Sequence, residues 1–246
     1  MTERERQHAI QVKLARLESR IPAFVPTGFA ALDRALAGGL PRGSITELFG
    51  GPSGGKTTLA LLIVAHAQRN GLSAAWIDAE RSFDPAYALG RGVSLERLPV
   101  ARPDTAEQSL EIARQLAASG AIDLLALDSA AALTPALELE LGLGDGSAGL
   151  QSRILASGFR RLGFAAARTE TAILVLNQLR SGSGSSPAET TAGGPALKLQ
   201  AAVRISLEHA GGAASAHFRV LKSKMAAAFL VGELRLNDGS EYAKTL

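Results

Sequence analysis

A chain of 246 residues, 46% of them hydrophobic, is long and apolar enough for one large domain or two small ones with a substantial core. It has no cysteine, which excludes disulfides, cysteine–zinc sites and thiol catalysis. With 26 basic against 23 acidic side chains the net charge is +3, compatible with nucleic acid without arguing for it, and 4% aromatic residues leave few rings for stacking on bases.

The opening Met1-Thr2-Glu3-Arg4-Glu5-Arg6 is charged and lacks the apolar core of a signal peptide. The apolar run from Leu59 to Ala65 is far shorter than a membrane span. A cytoplasmic protein without membrane contact is expected. Residues 3–20 read as a helix, because Ile10, Leu14, Leu17 and Ile21 recur at spacings of four, three and four, and Pro22 and Pro26 end it. That stripe needs a partner, either this chain's own core or a neighbouring subunit. The expected division is 1–26, the N-terminal helix and linker, and 27–246, the core.

Strands and helices then alternate. Ile45–Phe49 is a short buried strand, Gly50–Gly55 a glycine-rich turn, and Lys56 to about Arg69 a helix. Ala74–Ile77 is the next strand. A helix over 105–118 follows, with Asp104 and Glu107 in capping-box spacing. The strand Ile122–Leu127 ends in Asp128, and after a helix near 148–167 comes the strand Thr171–Leu176. Three later strands, about 201–207, 216–222 and 229–236, have short connections and predict a β-meander. The fold class is α/β: a doubly wound, mostly parallel sheet with a C-terminal antiparallel extension and an N-terminal helix. The glycine-rich 142–149 and the Ser-Gly-Ser-Gly-Ser-Ser-Pro stretch 181–187 read as loops.

Gly50-Gly51-Pro52-Ser53-Gly54-Gly55-Lys56-Thr57 fits G-x-x-x-x-G-K-[ST] between an apolar strand and an apolar helix, the context its mechanism requires. Glycines let the backbone wrap phosphates with its N–H groups inward, and the helix start directs partial positive charge there. Lys56 is expected to neutralise the terminal phosphates of ATP and the Thr57 hydroxyl to ligate Mg²⁺. Asp128, a carboxylate at the C-terminal end of an apolar strand, is where the Mg²⁺ shell is held in such proteins. Glu80, after Trp76-Ile77-Asp78-Ala79, is either a solvated surface acid or the group that orients and deprotonates the attacking water.

An ordered series of segments carries a resemblance. It runs from Gly28-Phe29-Ala30-Ala31-Leu32-Asp33 through the phosphate loop to Ile77-Asp78-Ala79-Glu80 and Asp84-Pro85-Ala86-Tyr87. It continues through Leu127-Asp128-Ser129-Ala130, Asn177-Gln178-Leu179-Arg180 and Glu189-Thr190-Thr191-Ala192-Gly193-Gly194 to Leu221-Lys222-Ser223-Lys224-Met225. From about residue 27 to about residue 240 the chain resembles the RecA-like recombinases. The resemblance implies a RecA-type P-loop NTPase core, an ATPase stimulated by DNA, and a role in repair, recombination and the SOS response to DNA damage.

Residue by residue, it implies that Glu80 is the catalytic glutamate, with Lys56 acting beside it. Asp84 and Tyr87 lie at the adenine, and Thr58 joins the nucleotide site. Gln178 senses the γ-phosphate and signals to the second DNA loop. Lys222 and Lys224 reach a neighbouring subunit's ATP in a filament; from spacing alone they are a solvated basic edge. Residues 141–149 and 181–194 match two mobile loops for single-stranded DNA, with Arg153, Arg160, Arg180, Gly193 and Gly194 in or near them. Departures are also expected to matter. Ala148 stands where the family carries a bulky wedge, the second loop lacks large apolar residues, and Leu199 replaces an aromatic that couples subunits. The family's C-terminal, duplex-gathering domain is expected to be absent. The pattern is therefore also similar to ImuA-type proteins, shortened relatives that assist an error-prone translesion polymerase complex without strand exchange.

Overall fold

The computed structural model describes residues 23–140, 149–180, 190–211 and 214–236. The expected N-terminal helix and most of both expected loops lie outside them. Eleven strands are found among these residues: β1 Phe24–Val25, β2 Leu40–Pro41, β3 Ile45–Gly50, β4 Ala74–Asp78, β5 Val100–Ala101, β6 Leu124–Asp128, β7 Ala172–Arg180, β8 Thr190–Thr191, β9 Val203–His209, β10 Ser215–Ser223 and β11 Val231–Arg235. β1 and β2 form a small antiparallel ribbon. The others build one sheet in the order β11-β10-β9-β3-β7-β6-β4-β5, with β8 paired to β7.

From β9 across to β5 every pairing is parallel. β9, β10 and β11 then run antiparallel, which is the expected meander. Strands such as Leu124-Leu125-Ala126-Leu127 are apolar at every position because helices cover both faces. Helix Lys56–Arg69 packs on one face in a core with Leu48, Trp76 and Leu174. Helices Ala106–Ala118 and Leu150–Thr169 pack on the other, around Leu110, Leu155 and Phe159. The sheet is doubly wound, as expected.

Two boundaries differ from the sequence reading for a visible reason. Helix Ala106–Ala118 starts one residue late because Thr105, not Asp104, is its cap: the Thr105 hydroxyl accepts from the Gln108 N–H. Gln108 reaches back to the Asp104 N–H, while Glu107 accepts from the Ala136 N–H and tethers the next helix. β6 begins at Leu124 rather than residue 122, since the Asp123 carboxylate is engaged by Ser73 and by Arg42 at 3.0 Å. Four short helices, Ala30–Ala35, Pro85–Gly90, Ala136–Glu140 and Pro195–Gln200, had no readable period. No helix among the described residues is long and apolar enough to cross a membrane.

Because the central strands are parallel, their C-terminal ends meet at one edge. Gly50 lies opposite Gln178 and Asp78 opposite Asp128. The residues expected to carry chemistry are thus gathered there by register, from four strands.

Candidate functional site

β3 is buried throughout and delivers the chain to Gly50 at the crevice. A Cβ on Gly50 would sit 2.1 Å from the Leu207 carbonyl oxygen of β9, so only glycine lets the loop leave the sheet here. Gly51, Pro52, Ser53 and Gly54 carry the turn, and Gly55, at φ 87°, opens helix Lys56–Arg69. Lys56 Nζ donates to the carbonyls of Gly50 at 3.2 Å and Gly51 at 2.7 Å. Burial lowers its pKa, against the nearby Asp128 and Glu80 carboxylates, which raise it.

Thr57 Oγ1 donates to Asp128 Oδ2 at 2.9 Å, bringing together the two oxygens expected at the metal. Burial raises the Asp128 carboxyl to about 6; the Thr57 hydrogen bond and Lys56 lower it, while Glu80 and Asp78 push it further up. These residues fit ATP–Mg²⁺. The loop is a glycine cradle, its lysine is held on carbonyls at the loop's own mouth, and a hydroxyl and a carboxylate provide hard oxygen donors.

Glu80 lies just beyond β4, its N–H bonded to the Asp128 carbonyl. Its Oε1 accepts from Gln178 Nε2 at 3.2 Å and from the hydroxyl of Ser129, which follows Asp128 across a cis peptide bond. The sequence alone assigns no role to Ser129. Nor does it assign one to Asp78, although its buried carboxylate accepts from the Ser82 and Phe83 N–H groups and from Arg102, and so shapes the turn carrying Glu80. The signal was available, since a fully apolar strand that ends in an aspartate is costly unless that aspartate is bonded.

Asp84 caps helix Pro85–Gly90, its Oδ1 accepting from Ala86 and Tyr87 N–H. The Tyr87 hydroxyl meets Thr58 Oγ1 at 2.8 Å, and the Arg91 guanidinium lies 4.7 Å from the ring centroid. With Ser53, Gly55, His209 and Leu236 these line a pocket of about 180 Å³ beside the phosphate loop. Tyr87 and Thr58 therefore border the pocket that opens beside the phosphate loop.

Lys222 and Lys224 are placed elsewhere. Lys222 pairs with Arg204, which pairs with Glu47, three residues before Gly50 and two strands away. Its Nζ donates to the Lys198 and Leu199 carbonyls at the end of helix Pro195–Gln200. Lys224 is exposed, as is Leu199 at 69%. Neither lysine reaches the phosphate loop of its own chain.

Arg153 and Arg160 are exposed on one face of helix Leu150–Thr169. Arg153 is near the Gly193–Gly194 turn, where a Cβ on either glycine would strike Leu155 or Ser152 of that helix. Arg160 sits two turns further along, in a groove with Arg114, Arg161, Phe164 and Arg168. Arg180 ends β7, and its backbone pairs with Thr190. Ala148 and residues 181–187 lie outside the described residues.

A doubly wound parallel sheet with a glycine cradle after its central strand and carboxylates at neighbouring strand ends defines a P-loop NTPase fold. Residues 5–240 match the RecA N-terminal domain family. Protein RecA of Thermus thermophilus is 43% identical over 241 residues, 93% of this chain and 71% of that protein. Protein RecA of Mesorhizobium japonicum is 45% identical over 233 residues, 90% of this chain and 64% of its own length. Protein RecA of Amycolatopsis mediterranei is 47% identical over 235 residues, 90% of this chain and 67% of its own length. The chain belongs to the RecA family.

Proposed function

We propose that this protein is an ATP-dependent DNA-binding protein of repair and recombination that works in the cytoplasm. It binds ATP–Mg²⁺ at the Gly50–Thr57 loop and single-stranded DNA through 141–149 and 181–194. The observation that carries the reading is the contact of Gln178 with Glu80. It joins the end where phosphates would lie to the strand leading into the second DNA segment.

In this reading Lys56 leaves the Gly50 and Gly51 carbonyls to neutralise the terminal phosphates. Thr57 and Asp128 hold Mg²⁺, which supplies charge neutralisation at the phosphate oxygens when bound. Glu80 accepts a proton from the attacking water, with Ser129 and Gln178 fixing its carboxylate. Tyr87 takes the base on its ring, and Asp84 holds Tyr87 in place by capping its helix. Lys222 and Lys224, remote from their own phosphate loop, serve the ATP of a neighbouring copy in a homo-oligomer or filament. Arg153, Arg160, Arg180 and the Gly193–Gly194 turn contact the DNA backbone.

The test is ATP turnover by the purified chain with and without single-stranded DNA. Stimulation is expected, and identical turnover in both conditions removes the DNA-dependent reading. A second reading, an accessory of a translesion polymerase, is favoured by one feature: the 181–187 stretch is built of serine, glycine and proline, with nothing to wedge between bases. ATP turnover that responds to such a polymerase and not to DNA supports it.

A further inference from the structure

The two helices on the second face of the sheet carry a groove of which the proposed function uses only Arg160. Helices Ala106–Ala118 and Leu150–Thr169 touch at Gly158, where a Cβ would lie 2.3 Å from Leu110 Cδ1. Two cylinders in contact leave a furrow along their outer side. Here it opens into two cavities, of about 660 and about 350 Å³, that share Arg114 and Arg161. From Ile154 in one cavity to Arg168 in the other it follows about 21 Å of helix, at about 1.5 Å per residue. Thr169 Oγ1 donates to the Ala117 carbonyl at 2.7 Å and fastens the two helices at that far end, so the groove is preformed.

Arg161, Phe164 and Arg168 stand three and four positions apart and form one stripe of the wall. Arg114 comes from the other helix, and Ala118 and Ala165 add apolar lining. Phe164 is 68% exposed, with the Arg168 guanidinium 5.9 Å from its ring centroid. Arg114 is paired with Glu111, its Nε donating to Oε2 at 2.9 Å. Among the described residues Arg160, Arg161 and Arg168 form no ion pair. Four arginines and no acid line the larger cavity. Glu107 and Glu111 lie along the smaller one, and Glu107 already accepts from the Ala136 N–H. Like charges gathered on one apolar groove repel each other, so folding alone does not favour this arrangement. Carboxylates arriving from outside relieve it, and the planar guanidinium suits them.

We infer that this groove docks an acidic amphipathic helix of another protein. Apolar side chains of that helix lie against Phe164, Ala118 and Ala165, and its carboxylates meet Arg161, Arg168 and Arg114. Three features select this occupant. An exposed aromatic ring beside unpaired arginines is the composition that anchors protein interfaces, and a furrow between two helices takes a third. The larger cavity also lies away from the segments proposed for DNA. Those segments adjoin Leu150 and Arg180, whereas Arg168 lies at the other end of its helix, where the chain turns into the start of β7. The chain's own residues 1–26 have the wrong sign, with five lysines and arginines against three glutamates.

The experiment is fluorescence anisotropy with a labelled helical peptide of about four turns, glutamates surrounding a stripe of leucines and one phenylalanine. The full chain should bind it saturably, with a Kd of about 10–100 µM in about 0.1 M salt. Replacing the peptide's glutamates by glutamine, or its leucines and phenylalanine by serine, should weaken binding about tenfold or more. Phe164→Ser should do the same, as should Arg161→Glu with Arg168→Glu, each with an unchanged Tm. The charge-reversed double variant should also gain binding to the peptide with lysine in place of glutamate, a result that a misfolded chain cannot give. No saturable binding by the wild type up to about 1 mM peptide overturns the inference, as does equal binding by the wild type and both variants. A single-stranded oligonucleotide that displaces the peptide, and itself binds Phe164→Ser about tenfold more weakly, assigns the groove to nucleic acid and overturns it too. Self-association in sedimentation that Phe164→Ser abolishes assigns the groove to a second copy, with the same consequence.

Discussion

Gln178 donates to Glu80 at 3.2 Å, although β6 lies between the strands from which they come. Ser129, just beyond β6, donates to the same carboxylate. Three adjacent strand ends therefore converge on one acid. The parallel register is the reason, since it brings every C-terminal strand end to the same edge.

That convergence makes Glu80→Gln informative. The amide keeps the shape and loses the basic oxygen, so ATP should stay bound while turnover falls about 10²- to 10⁴-fold. Steady-state turnover at saturating ATP measures it. A rate within about threefold of the wild type removes Glu80 from the proton-accepting role.

Lys56→Ala should abolish detectable nucleotide binding. The side chain is half-buried, with its charge aimed at the loop mouth, and removing one partner of such a pair costs about 2–5 kcal/mol, or at least about 30-fold in affinity. Titration with a fluorescent ATP analogue checks this. Unchanged affinity in a folded Lys56→Ala protein would falsify the phosphate-loop assignment.

Much of this edge was legible in the sequence, for a physical reason. A strand covered on both faces must be apolar throughout, so an aspartate at its end, as at Asp128, stands out. The phosphate loop is likewise local, written in consecutive residues. What stayed hidden depends on partners far away in sequence. Ser129 matters only because Glu80 lies 49 residues earlier and folds against it. Nothing near Glu47 announces Arg204, 157 residues away. The cap at Thr105 was missed by one position because Asp104 and Glu107 offered the same spacing as Thr105 and Gln108.

Asp128 gives a pH dependence. Its folded pKa is raised to about 6, above the ordinary carboxylate value, chiefly by burial. Between those two values the folded protein holds a proton that the unfolded chain has released. Metal-free stability therefore falls as pH rises through that window and stays lower above it. Asp128→Asn removes this cost and still accepts from Thr57. It should raise metal-free stability at pH 8 on the order of 1–3 kcal/mol, and abolish the added stability from ATP–Mg²⁺. Melting curves from pH 5 to 8, with and without ATP–Mg²⁺, test both halves. A metal-free Asp128→Asn protein with a lower Tm than the wild type at pH 8 contradicts the first.

Single-strand binding should be mostly electrostatic. Helix Leu150–Thr169 carries Arg153, Arg160, Arg161 and Arg168 and no acidic residue, and residues 181–194 hold no aromatic ring. Affinity of that kind comes from counterion release. Its logarithm falls with the logarithm of salt concentration at a slope near −0.7 for each neutralised phosphate. Arg153 and Arg160 are about 10 Å apart on one helix face, at a rise of 1.5 Å per residue, a spacing at which they should meet separate phosphates. Arg153→Ala combined with Arg160→Ala should weaken binding to every sequence alike and flatten the slope by about 1.4. Titrating a labelled oligonucleotide at several salt concentrations, with ATP bound, gives both slopes. Tight binding that barely responds to salt, or an unchanged slope in the double variant, would mean that the DNA lies elsewhere on the molecule.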